Sequence, residues 1–368
     1  MLSGWRGLGT FWLAILLLLA GGAVVLQTLG PLPAPPRMHA QITARPARVA
    51  AARPPPPLVT QHVDAPPADR PGRGTPGPIE DPDPALLEPG PGGGAAMLPR
   101  IAEDGRRPMQ FYAAGFDRSN RRPRIGILLA GIGLNRADSD KAIHDLPGGV
   151  TLAVSPYAPQ LAPLLAAARL AEHEYLLSIP MEPVGFPQND PGQRALMTNL
   201  SVTDNLDRLR WLMAQVQGYV GVTNALGGAL RGERFAGMAQ QMTPVLAELA
   251  RRGLLYVDAR PAGAGGQPVQ NQVWSTDVNL VLDNPPDDID VKLAQLEEIA
   301  HDKGEALGLA GAPSPVVVQH LVAWANGLLT RGLVLAPVSA LVHPPAQVAT
   351  SGQRAPNHEL PSDESPPQ

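Results

Sequence analysis

A chain of 368 residues is long enough for two domains, but its 38 Gly and 43 Pro are unevenly spread and much of the length is unsuited to a packed core, so one domain is expected. A formal net charge of −4 with no cluster of Lys or Arg excludes the electrostatic footprint of a nucleic-acid binder. With no Cys, a disulfide framework, a thiolate nucleophile and a Cys-ligated zinc are excluded as well.

The first 30 residues read as delivery apparatus. From Phe11 to Leu29 the chain is uncharged and apolar, and a helix of that length approaches the roughly 30 Å of a hydrocarbon core. Arg6 precedes it, so the positive-inside rule exports the chain from Pro31 onward. Two readings stand: an uncleaved membrane anchor, or a signal segment processed near Gly21-Gly22-Ala23, although apolar residues continue past that site.

Residues 31–121 read as a Pro/Gly-rich disordered linker. Between Pro31 and Gly94 lie 18 prolines with few periodic apolar residues, a composition that favours extended polyproline II segments over a core. Phe111, Tyr112 and Phe116 are candidate packing points against the domain. The tail 343–368 is again Pro-rich and polar and reads as disordered.

The folded domain is expected over residues 122–342. Strands are predicted near 125–129, 150–154, 175–179, 219–223, 254–258, 278–282, 306–309 and 333–336, with helices at 204–216, 240–252, 290–303 and 315–330. This alternation implies an α/β fold with a mostly parallel sheet. The run Arg124–Asn135, a short apolar strand ending at Gly131 and Gly133, opens the pattern, and the carboxyl end of such a strand is where α/β folds place ligands. Long irregular stretches at 180–200 and 261–271 are candidates for shaping a cleft there.

Two motifs fall short. Gly131-Ile132-Gly133 begins a dinucleotide fingerprint, but Arg136 stands at the third glycine and no acidic residue closes the second strand. No G-x-S-x-G elbow surrounds Ser178.

Seven segments in order, RIGILLAGIGLN at 124–135, VTLAVSPYAP at 150–159, YLLSIPMEP at 175–183, DPGQRALMTNLS at 190–201, YVGVTNALGGAL at 219–230, LLYVDARP at 254–261 and GLVLAPVSALV at 332–342, resemble the divergent polysaccharide deacetylase family. The resemblance implies a distorted (β/α) barrel of the polysaccharide deacetylase type and an ancestral chemistry in which metal-activated water removes acetyl groups from glycan amides.

Departures from the family pattern fall at its chemically decisive positions. Ala130 and Gly131 stand at its paired Asp, Ser178 at the His of H-x-P-M-E-P, Ala225 at the His of N-H-M-G-S, and Ala312 at the His of a late G-H-P. Hydrolytic metals need imidazole or carboxylate donors. None of the eight histidines matches a family ligand position, and those on helices read as solvated or half-buried structural residues. No cofactor or metal is therefore expected.

Glu182, Asn224, Asp258 and Arg260 remain as candidate ligand-binding residues. Glu182 and Asp258 also suit an acid/base pair, Arg260 beside Asp258 suggests an ion pair or sugar contact, and Glu182, Asp258 and Arg260 equally suit loop bracing. The expectation is a periplasmic-side protein that has lost metal hydrolysis and binds a cell-envelope polysaccharide or envelope protein. The alternatives are an active deacetylase with an atypical site and a structural envelope scaffold. A reporter active only in the cytoplasm, fused after Gln368, is expected to be silent; activity there overturns the orientation.

Overall fold

The computed structural model describes residues 74–345 except 92, 94, 95, 261–271 and 283–287. The apolar stretch Phe11–Leu29, most of the expected linker, the 261–271 loop and the tail beyond 345 lie outside these residues. Among the described residues no helix is long and apolar enough to cross a membrane.

The fold is α/β, built on one curled parallel sheet. Its long strand, β3 (Arg124–Ile132), is buried on both faces, as its near-continuous apolar run requires. β3 serves two neighbours in succession along one edge. Val334–Leu335 (β11) pair with Arg124–Ile125 at its start, and Thr151–Val154 (β4) pair with its end from Leu128 onward. Its other edge pairs with Glu305–Ala310 (β10) from Arg124 to Leu129. From β4 the sheet continues through β5 (Tyr175–Ser178), β6 (Gly221–Thr223), β7 (Leu255–Asp258) and β8 (Ser275–Asp277), all parallel. At the far edge β9 (Leu280–Val281) pairs with β10. Only Val278 and Asn279 separate β8 from β9, so consecutive residues pair with opposite ends of the sheet and the sheet curls back on itself.

Two structural details differ from the sequence expectation. β3 runs through Gly131, taking a bulge between Leu129 and Ile132 with Gly131 at φ 75°, and the turn comes at Gly133. An extra residue in a strand bends it and re-aims the residues beyond it. The expected strand over 278–282 is the bent pair β8–β9, because one stretch cannot follow both β7 and β10 without a break.

Helices α2 (Arg136–Asp145), α3 (Leu161–Leu170), α4 (Val202–Met213), the short α5 (Glu233–Ala236), α6 (Ala239–Arg251), α7 (Ile289–Lys303) and α8 (Pro315–Asn326) lie between and after the strands. Ser201 and Ser314 cap α4 and α8 through their hydroxyls, and Gly304 ends α7 in the left-handed conformation. Strand residues alternate between two cores. Ile125, Ile127, Leu152, Val222 and Tyr256 pack with the helices, and Leu128, Ala153, Leu176, Val257 and Leu307 fill the inside of the curl.

The folded unit begins well before residue 122. Within residues 74–121, Leu86, Met109 and Tyr112 are buried in the inner core. A hairpin of β1 (Leu87–Pro89) and β2 (Met97–Pro99) and a short α1 (Pro108–Phe111) give this strap its shape. Polar contacts tie it down: Arg252 donates to Glu88 at 2.8 Å and to the Pro99 carbonyl at 2.7 Å. The packing points expected at Tyr112 and Phe116 are buried here, whereas the high Pro content masked Leu86 and Met109. At the other end His343 pairs its backbone with Ser275, so the ordered chain passes the expected limit at 342.

Glu174, fully buried ahead of β5, joins three separate parts of the chain. Its Oε1 accepts from the Ser339 N–H at 2.9 Å and the Thr151 hydroxyl at 3.0 Å; its Oε2 accepts from the Ala114 N–H at 2.9 Å and the Ser339 hydroxyl at 2.6 Å. Burial pushes the carboxyl above its ordinary range, against these hydrogen bonds, which lower it. Each oxygen accepts from one backbone N–H, so a Gln amide turned either way would aim its NH2 at a donor. Glu174→Ala and Glu174→Gln are both expected to lose about 3 kcal/mol in urea denaturation; an unchanged midpoint for Gln would refute the hub.

Candidate functional site at the carboxyl ends of the strands

Three loops meet over the carboxyl end of the curl, and they meet through glycine. The Gly228 N–H, after β6, donates to the Gly311 carbonyl, after β10, at 2.7 Å. A Cβ added to Gly311 would lie 2.7 Å from the Gly228 oxygen, and one on Gly131 would lie 3.2 Å from the Gly311 oxygen. A Cβ on Gly227 would stand 3.4 Å from the Gly131 Cα. Backbone therefore packs on backbone where side chains would otherwise project. Beneath it, Ala130 and Ala225 belong to the inner apolar core.

These positions supply no imidazole or carboxylate. Ser178 ends β5 fully buried, and its hydroxyl has no hydrogen-bond partner. Ala130, Gly131, Ser178, Ala225 and Ala312 do not fit the donor set of a hydrolytic metal. Among the described residues no three His, Asp or Glu side chains gather as a metal-binding group. Three of the described histidines are engaged elsewhere. His173 is fully buried, with Nδ1 2.8 Å from the Val150 carbonyl and Nε2 3.2 Å from the Ile143 carbonyl. It lies outside the helices, more deeply placed than the sequence suggests. His320 pairs with Asp290 and His343 with Glu305.

Of the four sequence-selected residues, three come together and one stands apart. Asn224, after β6, accepts from the Ala259 N–H at 2.7 Å and donates to the Arg231 carbonyl at 2.7 Å and to Asp258 at 3.3 Å. Asp258 accepts from the Arg260 backbone N–H at 3.0 Å and side-on from its guanidinium, Nε at 3.1 Å and Nη2 at 2.6 Å. Glu182 is held separately, by the Thr198 N–H and hydroxyl, both at 2.7 Å, and by Arg234 at 3.1 Å. All four are buried. The oxygens of both carboxylates already accept from protein donors, so bracing of the strand-end loops is their evident work.

Sequence reasoning passed over Arg231. It is 9% exposed, and its Nε has no hydrogen-bond partner. The one signal was its setting, in a loop with Gly227, Gly228 and Gly232 close by, all with positive φ. Such a backbone presses against its neighbours and holds the intervening side chain in a defined place.

The comparisons with known proteins agree with this architecture. The family model described as divergent polysaccharide deacetylase matches residues 127–342. An uncharacterized protein of Haemophilus influenzae is 25% identical over 210 residues, 56% of this chain and 72% of the relative. The uncharacterized protein YibQ of Escherichia coli is 23% identical over 224 residues, 59% of this chain and 66% of YibQ. The crystal structure of an uncharacterized protein from Agrobacterium tumefaciens C58 superposes with a TM-score of 0.61 at 33% identity, covering 67% of this chain and 99% of that one.

Asp258→Ala would remove the carboxylate that accepts from Asn224 and from the backbone and guanidinium of Arg260, at a cost of about 3 kcal/mol. Thermal and urea unfolding should both report it. Stability equal to wild type would mean that the pair does not brace the β7 end.

Proposed function

Because the chain belongs to the divergent polysaccharide deacetylase family, we propose that it is an exported, non-hydrolytic deacetylase-fold protein of the cell envelope that binds glycan at the carboxyl ends of its strands. One observation carries the reading: the Gly131, Gly228 and Gly311 loops close backbone to backbone over Ala130 and Ala225. Hydrolysis of an acetamide by metal-activated water requires anionic or imidazole donors and an open coordination position. Neither is compatible with apolar side chains under a glycine seal.

Binding needs less. A sugar site requires concave or platform surface, aromatic or apolar contact and a few fixed polar groups. Tyr157 and Phe186, 38% and 37% exposed on the loops after β4 and β5, offer aromatic surface. Asn224, Asp258 and Glu182 supply rigid support to the loops that carry such contacts. Export rests on the uncharged run Phe11–Leu29 behind Arg6, which would place the folded unit on the periplasmic side, tethered or released.

The test is acetate release from N-acetylated glycan oligomers by the purified protein, with and without added zinc. No metal-dependent release is expected, together with retention of the protein on purified envelope polysaccharide. Chelator-sensitive acetate release would overturn the non-hydrolytic reading; release with no retention would favour an active enzyme with an atypical site.

A further inference from the structure

The loop after β4 and the long loop after β5 meet at one ring. A Cβ added to Gly192 would lie 2.7 Å from the Tyr157 Oη and 2.8 Å from its Cζ and Cε2, so the hydroxyl end of the ring rests against the Gly192 backbone. Gly192 holds φ at 105°, where a side chain would be strained as well as crowded. Tyr157 nevertheless remains 38% exposed. The ring is both seated and open to solvent.

Both sides of this contact are fixed. Tyr157 follows the buried Ser155, whose hydroxyl accepts from the Tyr157 N–H at 3.3 Å. Opposite, Asp190 Oδ1 accepts from the Gly192 N–H at 2.8 Å. The arms of that loop pair through their backbones: the Leu196 N–H donates to the Pro180 carbonyl at 2.9 Å, and the Glu182 N–H to the Leu196 carbonyl at 2.8 Å. Arg208 on α4 donates to the Ala195 carbonyl at 2.6 Å, and the Arg194 guanidinium lies over the Trp211 ring, 5.0 Å from its centroid.

A carboxylate accompanies the ring. Asp190 is exposed, and its second oxygen accepts from no described residue. It lies close enough to act on the Tyr157 hydroxyl, whose pKa is raised first by burial, lowered by the Arg194 backbone and raised again by Asp190.

We infer that Tyr157, seated on Gly192, is the stacking platform of the glycan-binding face, and that Asp190 accepts hydroxyls of a neutral pyranose laid on the ring. The inference rests on the glycan-binding reading above and deepens it by naming the ligand class. A pyranose presents C–H groups to an aromatic face and hydroxyls around its rim, and an ionised Asp can only accept. A uronate or a phosphorylated sugar would set its own charge against Asp190. A ring ordered before binding also avoids the entropy cost of immobilising a side chain.

The experiment is isothermal titration calorimetry of the full chain with N-acetylchitotetraose, which is neutral, and with a hyaluronate tetrasaccharide, in which uronates alternate with the same amino sugar. The wild type is expected to prefer the neutral oligomer. Tyr157→Ala and Tyr157→Leu should each weaken that binding about tenfold, whereas Tyr157→Phe should keep it, because the ring and not the hydroxyl makes the stack. Leu retains an apolar side chain, so the test stands even where the Ala variant does not fold. Asp190→Asn keeps an acceptor for the Gly192 N–H and should bring the two oligomers toward equal affinity. Binding unchanged in Ala and Leu, a Phe variant as weak as Leu, a wild-type preference for hyaluronate, or a neutral preference undiminished in Asp190→Asn overturns the inference alone. A wild type that binds neither oligomer removes the glycan reading and the inference together.

Discussion

The buried carboxylate of Glu174 is the constraint on which the closed end of the curl depends. Four donors converge on it from the strap at Ala114, from the start of β4 at Thr151 and from the turn after β11 at Ser339. These elements are far apart in sequence, and none pairs with another as regular sheet. Desolvating a carboxylate without a cation costs free energy that only a full set of donors offsets. The donors must therefore be in place together, which fixes the strap and the carboxy-terminal turn relative to β4 and β5. The Thr151 hydroxyl extends the network by accepting from the Val338 N–H at 2.9 Å.

A second anchor works by the opposite electrostatic logic. Glu248 on α6 is nearly buried but receives Arg251, Arg252 and Arg210. Burial pushes its carboxyl up, and the arginine hydrogen bonds outweigh that, pulling it down to about 2. Its stabilising contribution is full above the ordinary carboxylate pKa and fades as pH falls toward that lowered value. Arg252 then carries the connection on to Glu88 and Pro99 of the strap hairpin. These two carboxylates hold the strap, and the loops after β3, β6 and β10 meet at the opposite end of the sheet.

At that opposite end the packing is of another kind. Glycine permits the loops after β3, β6 and β10 to touch through their backbones, and the side chains beneath are alanines in the inner core. Polar groups are displaced to the flank, where Asn224 and Asp258 organise the ends of β6 and β7 and leave Arg231 without a carboxylate. Among the described residues this face carries fixed dipoles and buried polar side chains in place of titratable metal donors.

Much of the architecture is legible in the residues. The apolar runs of β3, β5 and β7, the helical spacing in α4 and α6, and glycines such as Gly304 that end helices are local signals, and local signals survive in sequence. The lack of imidazole and carboxylate at Ala130, Gly131, Ser178 and Ala225 is legible too, since a residue type limits what an atom can donate wherever it is placed. The Pro-rich composition hid most of the strap: Tyr112 and Phe116 stand out in the sequence as packing points, but anchors such as Leu86 and Met109 mean nothing until the inner core exists. The Asp258–Arg260 ion pair, two residues apart, is one of the readings the sequence offers, and the structure forms it. Only the tertiary structure decided that Asn224 joins Asp258 and that Glu182 is held apart by Thr198 and Arg234, because those outcomes depend on distances between separate segments, which pattern and composition do not encode. The sequence by itself determined which groups are chemically present; the packing of loop against loop determined which of them are still available.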